Sequence, residues 1–294
     1  TALEIGKERL CDFVKKPLHT SVSIKERQEA VKELALLNGF CLNFRKTGSL
    51  VSDGFSSQQQ IAELFTASAR FPYRTFWQIA IYVVPLVYIV LLALVLAGMV
   101  SANSFILLYI STLILSALPS QNILRIVQTL NKINRQIGTY AQLFKLIENT
   151  PFKSAILQKL QSVICEPLEA SKVVAKLDTY YRNLDVAFTP ALFILNPLLL
   201  FNVRYALKIN KWMHHHAVKD TQKWFDVMAT FDALISLGTL AFNNPDYIFP
   251  ETVSETFRLE AQEMGHPLIL REKCIKNDVI ISGVPYFMII TGAN

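Results

Sequence analysis

The chain has 294 residues, 52% of them hydrophobic, with a net charge of +6 and a pI near 9.1. That length buries a sizeable core in one or two domains, and the basic balance points to an anionic partner, either nucleic acid or an acidic membrane surface. Cys11, Cys41, Cys165 and Cys274 are scattered without a C-x-x-C pair, which excludes a cysteine zinc motif and a small disulfide framework and suggests a reducing compartment.

The opening TALEIGKERLCDF is charged and amphipathic, unlike a signal peptide. Ser23 and Glu26 have capping-box spacing ahead of IKERQEAVKELALL, and Asn38-Gly39 reads as its stop. A loop with Gly48, Ser49, Ser52, Asp53 and Gly54 follows, then a second helix over about 57–70.

From Thr75 to Leu124 the chain carries no Asp, Glu, Lys or Arg. Two apolar runs, 76–98 and 104–118, are split by MVSAN. The first is long enough to cross a ~30 Å hydrocarbon core at ~1.5 Å per residue, and the second reaches it by borrowing from its flanks. Arg70 and Arg74 precede the pair, and Arg125, Lys132 and Arg135 follow it. The positive-inside rule therefore predicts a transmembrane hairpin with both flanks in the cytosol. Tyr73, Phe76, Trp77 and Tyr82 have the character of an interfacial aromatic belt. The competing expectation is a helix pair packed inside a protein core or against a second subunit.

Ile123, Ile126, Leu130, Ile133, Ile137, Tyr140, Phe144 and Ile147 then recur at alternating three- and four-residue spacing. That is a heptad seam on one helix of roughly seven turns, ended near Pro151 and requiring a partner helix from this chain or a second protomer. Shorter helices are expected around 153–164 and 168–184. The uncharged run 186–203 is broken by Pro190 and Pro197, so it reads as core with a new helix starting at Asn196-Pro197. A helical pattern continues from there to Pro245. His214, His215 and His216 point ~100° apart on a helix, unlike the i, i+4 pair of HExxH, and read as a solvated face. Beyond Pro250 the short apolar runs HPLI, CIKNDVII and YFMIITG have strand-and-turn character. The last strand, 287–291, is followed by Gly292, Ala293 and Asn294, which stand where a phosphate-binding G-x-x-x-x-G-K-[ST] loop begins.

The ordered landmarks His266-Pro267, Asn277-Asp278 and Thr291-Gly292-Ala293-Asn294 resemble the entrance to the ATPase domain of MutS-type DNA mismatch repair proteins. The opening T-x-x-x-x-G-x-x-x-L (Thr1, Gly6, Leu10), the IKERQEAV element and FDALISLGTLAFNNPDY resemble that family's helical core. The resemblance implies a mainly α, multi-helix core carrying an apolar hairpin, followed by the β-rich start of a P-loop/ABC-type α/β ATPase domain. Its expected segments are 1–74, core; 75–120, hairpin; 121–249, long-helix core; and 250–294, the start of the ATPase domain, ending inside Walker A. It further implies partial nucleotide contact at Gly292, Ala293 and Asn294 and pocket support from His266, Asn277 and Asp278. ATP and Mg²⁺ would be held by an intact homodimeric parent, while this segment, lacking the Walker lysine, would not hydrolyse ATP.

Three departures accompany the resemblance. Gly265 stands where the family has an Arg before His-Pro. The apolar hairpin replaces the DNA-gripping middle of the core. The family's mismatch-reading F-x-E domain is not in this sequence, and the FPE at Phe249–Glu251 lies in the wrong context. Two functions follow as expectations: a DNA-associated ATPase core with Arg182, Lys208, Lys211 and Lys219 as candidate phosphate contacts, or a membrane-anchored scaffold or remodelling ATPase that no longer recognises mismatches. An ABC-type transporter half fits poorly, because two spans without ionisable residues build no pathway.

Overall fold

The computed structural model describes residues 1–51, 73–131, 134–216, 220–252, 258–267 and 269–283. The expected helix at 57–70, Arg70, the strand at 287–291 and the loop Gly292-Ala293-Asn294 lie outside the described residues. The fold is mainly helical, with one small two-stranded sheet.

Helix α1 (Glu4–Lys15) has no side-chain cap of its own. Asp232, far along the chain, supplies one: its carboxylate accepts the N–H groups of Ala2 at 2.9 Å and Leu3 at 2.8 Å. Burial raises the Asp232 pKa above the usual carboxylate range, and those two N–H donors partly oppose the shift. Gly6 makes the approach possible, since a Cβ there would stand 2.0 Å from Asp232 Oδ2. Gly6 thus has a physical cause in the docking of α1 on a distant helix.

Helix α2 (Ser21–Leu36) starts two residues before the expected capping box. Thr20 is the cap, with its hydroxyl accepting from Ser23 N at 3.3 Å, so the Ser23–Glu26 pair lies inside the first turns. Asn38-Gly39 opens rather than merely stops a helix: α3 (Asn38–Gly48) buries Phe40, Cys41 and Phe44. Phe40, Phe152 and Phe231 meet edge-on or tilted at centroid distances of 5.3–6.3 Å. The Cys41 thiol is pushed up to about 11 by burial, and its Sγ donates to the Leu34 carbonyl.

Helices α4 (Arg74–Leu96) and α5 (Asn103–Ala117) form the apolar hairpin, followed by α6 (Ser120–Asn131) and α7 (Asn134–Glu148). The heptad face packs as predicted where its side chains are described: Ile123, Ile126, Ile137, Tyr140, Phe144 and Ile147 are all buried. Its partners come from this chain. Helix α7 lies against α9 (Ala170–Val186), which follows α8 (Ala155–Cys165), and Tyr140 and Phe144 meet Phe225 at 4.8 and 6.2 Å.

The run at 186–203 departs from expectation. Helix α10 (Pro190–Leu199) begins with Pro190 in its first turn, where a missing N–H costs nothing, and it continues through Pro197. Leu200, in the left-handed region at φ 46°, ends it, and α11 (Phe201–His216) starts there rather than at Pro197. Asn196 caps the new helix by accepting from Asn202 N at 3.1 Å. The run is only partly core, because Ile194, Leu195 and Leu199 remain exposed while α10 packs on both legs of the hairpin.

Helix α12 (Asp220–Asn243) forms the spine of the core, contacting α1, α2 and α8. Gly238 lets α2 come close, with Leu34 Cβ 3.0 Å from where a Cβ would stand. The sheet pairs β1 (Arg258–Met264) antiparallel to β2 (Asn277–Ser282). Strand β2 overlaps the expected CIKNDVII run and extends one residue past it, to Ser282. Strand β1 comes from the charged RLEAQEM, while His266-Pro267 of the HPLI run turns between the strands. Strand β1 is almost wholly exposed, so it carried no buried-strand pattern to read.

Candidate functional site

Helix α4 is 23 residues long, about 34 Å at 1.5 Å per residue, with a mean hydropathy of 2.9. Only 17% of its apolar window is buried. Its first turns pack on the core through Trp77, Ala80 and Ile81; beyond Ile81 only Tyr88 is buried. Trp77 therefore leaves the expected aromatic belt, whereas Tyr73, Phe76 and Tyr82 stay exposed. Ile79, Val83, Leu86 and Val90 of α4 and Leu107, Ile110 and Ile114 of α5 all face outward.

Helix α5 is 15 residues, about 22 Å, shorter than the expected 104–118 span needs to be on its own. It reaches membrane length only when joined to 120–128 across a 49° bend. Pro119 stands at that bend and cannot donate a backbone N–H.

The hydroxyls of Tyr88, Ser111, Thr112 and Ser116 are satisfied within the hairpin, as an apolar medium demands. Thr112 Oγ1 donates to the Leu108 carbonyl at 2.9 Å and accepts from Tyr88 Oη at 2.7 Å, joining α5 to α4. Ser111 and Ser116 each donate to a carbonyl three residues back. Tyr109 Oη donates to the Ile194 carbonyl at 3.1 Å, tying α10 to the hairpin.

Pro85 removes the N–H that would bond to the Ile81 carbonyl four residues earlier. Arg204 Nη2 from α11 reaches that carbonyl at 3.5 Å, a long contact, and its guanidinium lies 5.8 Å from the Tyr82 ring centre. Arg204 was not among the residues singled out from sequence. Its signal was indirect: a proline four residues after Ile81, and a stretch, 186–219, without one Asp or Glu.

At the other end, Asn277 and Asp278 open strand β2 at the irregular end of the β-hairpin, and His266 follows the end of β1 by two residues. The Glu263 N–H donates to Asp278 Oδ1 at 2.8 Å, and Asn277 stands opposite Met264 next to the register shift. The His266 carbonyl accepts from Ile269 N at 3.2 Å. Gly265 has a reason: a Cβ there would meet Cys274 Sγ at 2.9 Å, so an Arg in its place would have to displace that side chain. Arg74 sits in the first turn of α4 and Arg125 on α6, on either side of the hairpin in sequence.

A cavity of about 370 Å³ lies between α7 and α9. Most of its charged groups are engaged within the protein: Glu148 with Ser171, Lys172 with Glu169 at 2.8 Å, and Arg182 with Asp178 at 2.9 Å, while Lys145 also lines it. Among the described residues no cluster of three His, Cys, Asp or Glu is placed to hold a metal ion. His216 faces Asp220 at 3.1 Å and stacks on Trp224, while His214 and His215 are exposed.

No family model, curated protein or solved structure matches the chain. The class defined by its own geometry is a mainly helical protein with two helices long and apolar enough to cross a membrane, Arg74–Leu96 and Asp220–Asn243, the second largely buried in the core.

Proposed function

We propose that this chain is the membrane-tethered helical core of a MutS-like ATPase, a scaffold or remodelling machine rather than a mismatch reader. The observation that carries the proposal is the exposed apolar surface of α4, continued by α5 and α10, in a region with no charged residue from Thr75 to Leu124. The hairpin takes lipid as its partner, with both chain ends on the cytosolic face. The segment 250–294 leads into the nucleotide domain of a homodimeric parent, where Gly292, Ala293 and Asn294 begin the phosphate loop for ATP and Mg²⁺.

Coupling would run along α12. Its C-terminal end leads toward the β-hairpin, Asp232 holds α1, and Phe225 meets the α7 face. A nucleotide-driven movement of the β-hairpin would thus be delivered to helices joined through α11 to the membrane hairpin. The DNA-handling reading keeps the same core and exchanges lipid for a duplex. Of its candidate phosphate contacts, Arg182 is already paired with Asp178, and Lys208 and Lys211 lie on the helix that reaches the hairpin.

Membrane fractionation with an alkaline carbonate wash tests the proposal. The full chain is expected to stay in the washed pellet and to need detergent for release. Release as a monodisperse soluble species would overturn the tether and return the DNA-handling reading.

A further inference from the structure

One face of α11 carries Phe201, Arg204, Tyr205, Lys208 and Lys211 at three- and four-residue spacing; the first three are half-buried and the two lysines are exposed. It begins at the hairpin, where Arg204 touches the Ile81 carbonyl, at the level where the packed part of α4 gives way to its exposed part. Aromatic rings line it. Phe201 and Tyr205 stack at 6.2 Å, and the Lys208 ammonium lies 4.7 Å from the Tyr205 ring centre and 5.5 Å from that of Tyr180.

The charge pattern is one-sided. Helix α11 contains no Asp or Glu, and neither does 64–147, which includes the whole hairpin. Some cations elsewhere pair with carboxylates, among them Lys7 with Glu4, Arg9 with Asp226, Lys172 with Glu169, and Arg182 with Asp178. Among the described residues no ion pair engages Arg204, Lys208 or Lys211. Arg204 and Lys208 beside tyrosine rings, with Lys211 one turn further on, at the foot of an uncharged apolar hairpin match the layering of a bilayer with an anionic surface: hydrocarbon, aromatic interface, then headgroup phosphate.

We infer that Arg204, Lys208 and Lys211 form a headgroup site for anionic phospholipid, with Tyr82 and Tyr205 at the interface. The inference rests on the membrane reading proposed above. Arg204 brings planar donors suited to a phosphate, and the two lysines extend the field along the membrane surface. The lipid partner is preferred to a nucleic acid because the cationic face is continuous with the apolar one.

The test uses the full chain reconstituted in phosphatidylcholine vesicles, one-third phosphatidylglycerol, with spin-labelled forms of each lipid. The relative association of the two lipids with the protein is the readout. Wild type should prefer phosphatidylglycerol several-fold, less so as salt rises. Each cation contributes up to roughly fivefold, so Lys208→Gln/Lys211→Gln should bring the preference close to unity while the chain stays membrane-bound. That double variant leaves the Arg204–Ile81 contact intact; Arg204→Gln is the companion that removes it.

Equal association of both lipids with membrane-retained wild type would overturn the inference and leave the tether standing. Loss of membrane retention by wild type itself would overturn both. Displacement of phosphatidylglycerol by inorganic phosphate would assign the face to a free anion. Binding of a short DNA duplex that the same double variant abolishes, without any lipid preference, would assign it to nucleic acid. A detergent-resistant dimer broken by that variant would assign it to a second copy.

Discussion

Helices α4 and α12 are nearly equal in length, 23 and 24 residues, and both pass for membrane spans by length and composition. Their surroundings are opposite: 17% of the apolar window is buried in the first and 56% in the second. Hydropathy reports what a helix can tolerate, whereas packing partners decide where it lies. Helix α12 carries Asp232 and Asp226, each engaged by a neighbouring segment, and Gly238, which admits α2. Helix α4 beyond Ile81 has no charged side chain and one buried residue, Tyr88. A helix built to be surrounded by protein shows specific polar anchors and close approaches; α4 instead turns its Tyr88 hydroxyl to Thr112 of its own hairpin.

The largest effects should fall on the spine. Phe231→Ala, at a fully buried ring between Phe40 and Phe152, should destabilise the chain by about 3–5 kcal/mol. Urea titration in mild detergent would read this as a lowered midpoint. An unchanged midpoint would mean that α12 is not the centre of the core. Gly6→Ala forces Asp232 away from α1 and strands the N–H groups of Ala2 and Leu3, at a cost of about 3 kcal/mol. Equal stability of that variant would show that α1 does not dock through this contact.

On the other helix, Leu86→Arg should leave the core intact and impair membrane retention. The cost of arginine at mid-span is about 2.5–3.5 kcal/mol on insertion scales. Full retention after a carbonate wash would argue that α4 packs against protein.

A pH effect separates the two helices further. Asp232 keeps its proton to higher pH in the folded chain than in the unfolded one, because burial raises its pKa. Its contribution to stability is therefore fullest below the ordinary carboxylate pKa of about 4 and is lost as pH rises through the raised value. The urea midpoint of wild type should fall relative to Asp232→Asn across that window; a pH-independent difference would refute the assignment. The smallest effect is expected for Leu92→Ala on α4, within about 0.5 kcal/mol in detergent, since that side chain is 49% exposed and packs little.

Legibility in the sequence followed the same division. The uncharged run, the heptad face from Ile123 to Ile147 and the helices flanking Pro167 were visible because burial imposes a helical period on apolar residues. Helix starts were less so. Thr20 competes with Ser23 for the same cap, and a proline inside α10 did not break it. Strand β1 is paired yet exposed, so its charged sequence gave no alternation. The Asp232 cap and the Arg204 contact join residues hundreds or scores of positions apart, and no local pattern announces either. Of the expected site residues, Asn277 and Asp278 open strand β2 and His266 lies two residues beyond the end of β1. The glycine at 265, read as a departure from the family, has a local cause in the closeness of Cys274.

The most direct test of lipid contact is a nitroxide scan of residues 82–96 in reconstituted vesicles, comparing collision with oxygen and with a water-soluble nickel chelate. Outward positions such as Leu86 and Val90 should be reached by oxygen and shielded from nickel, and position 88 should be shielded from both. Nickel access along the whole helix, or exclusion of both reagents from every position, would contradict the account.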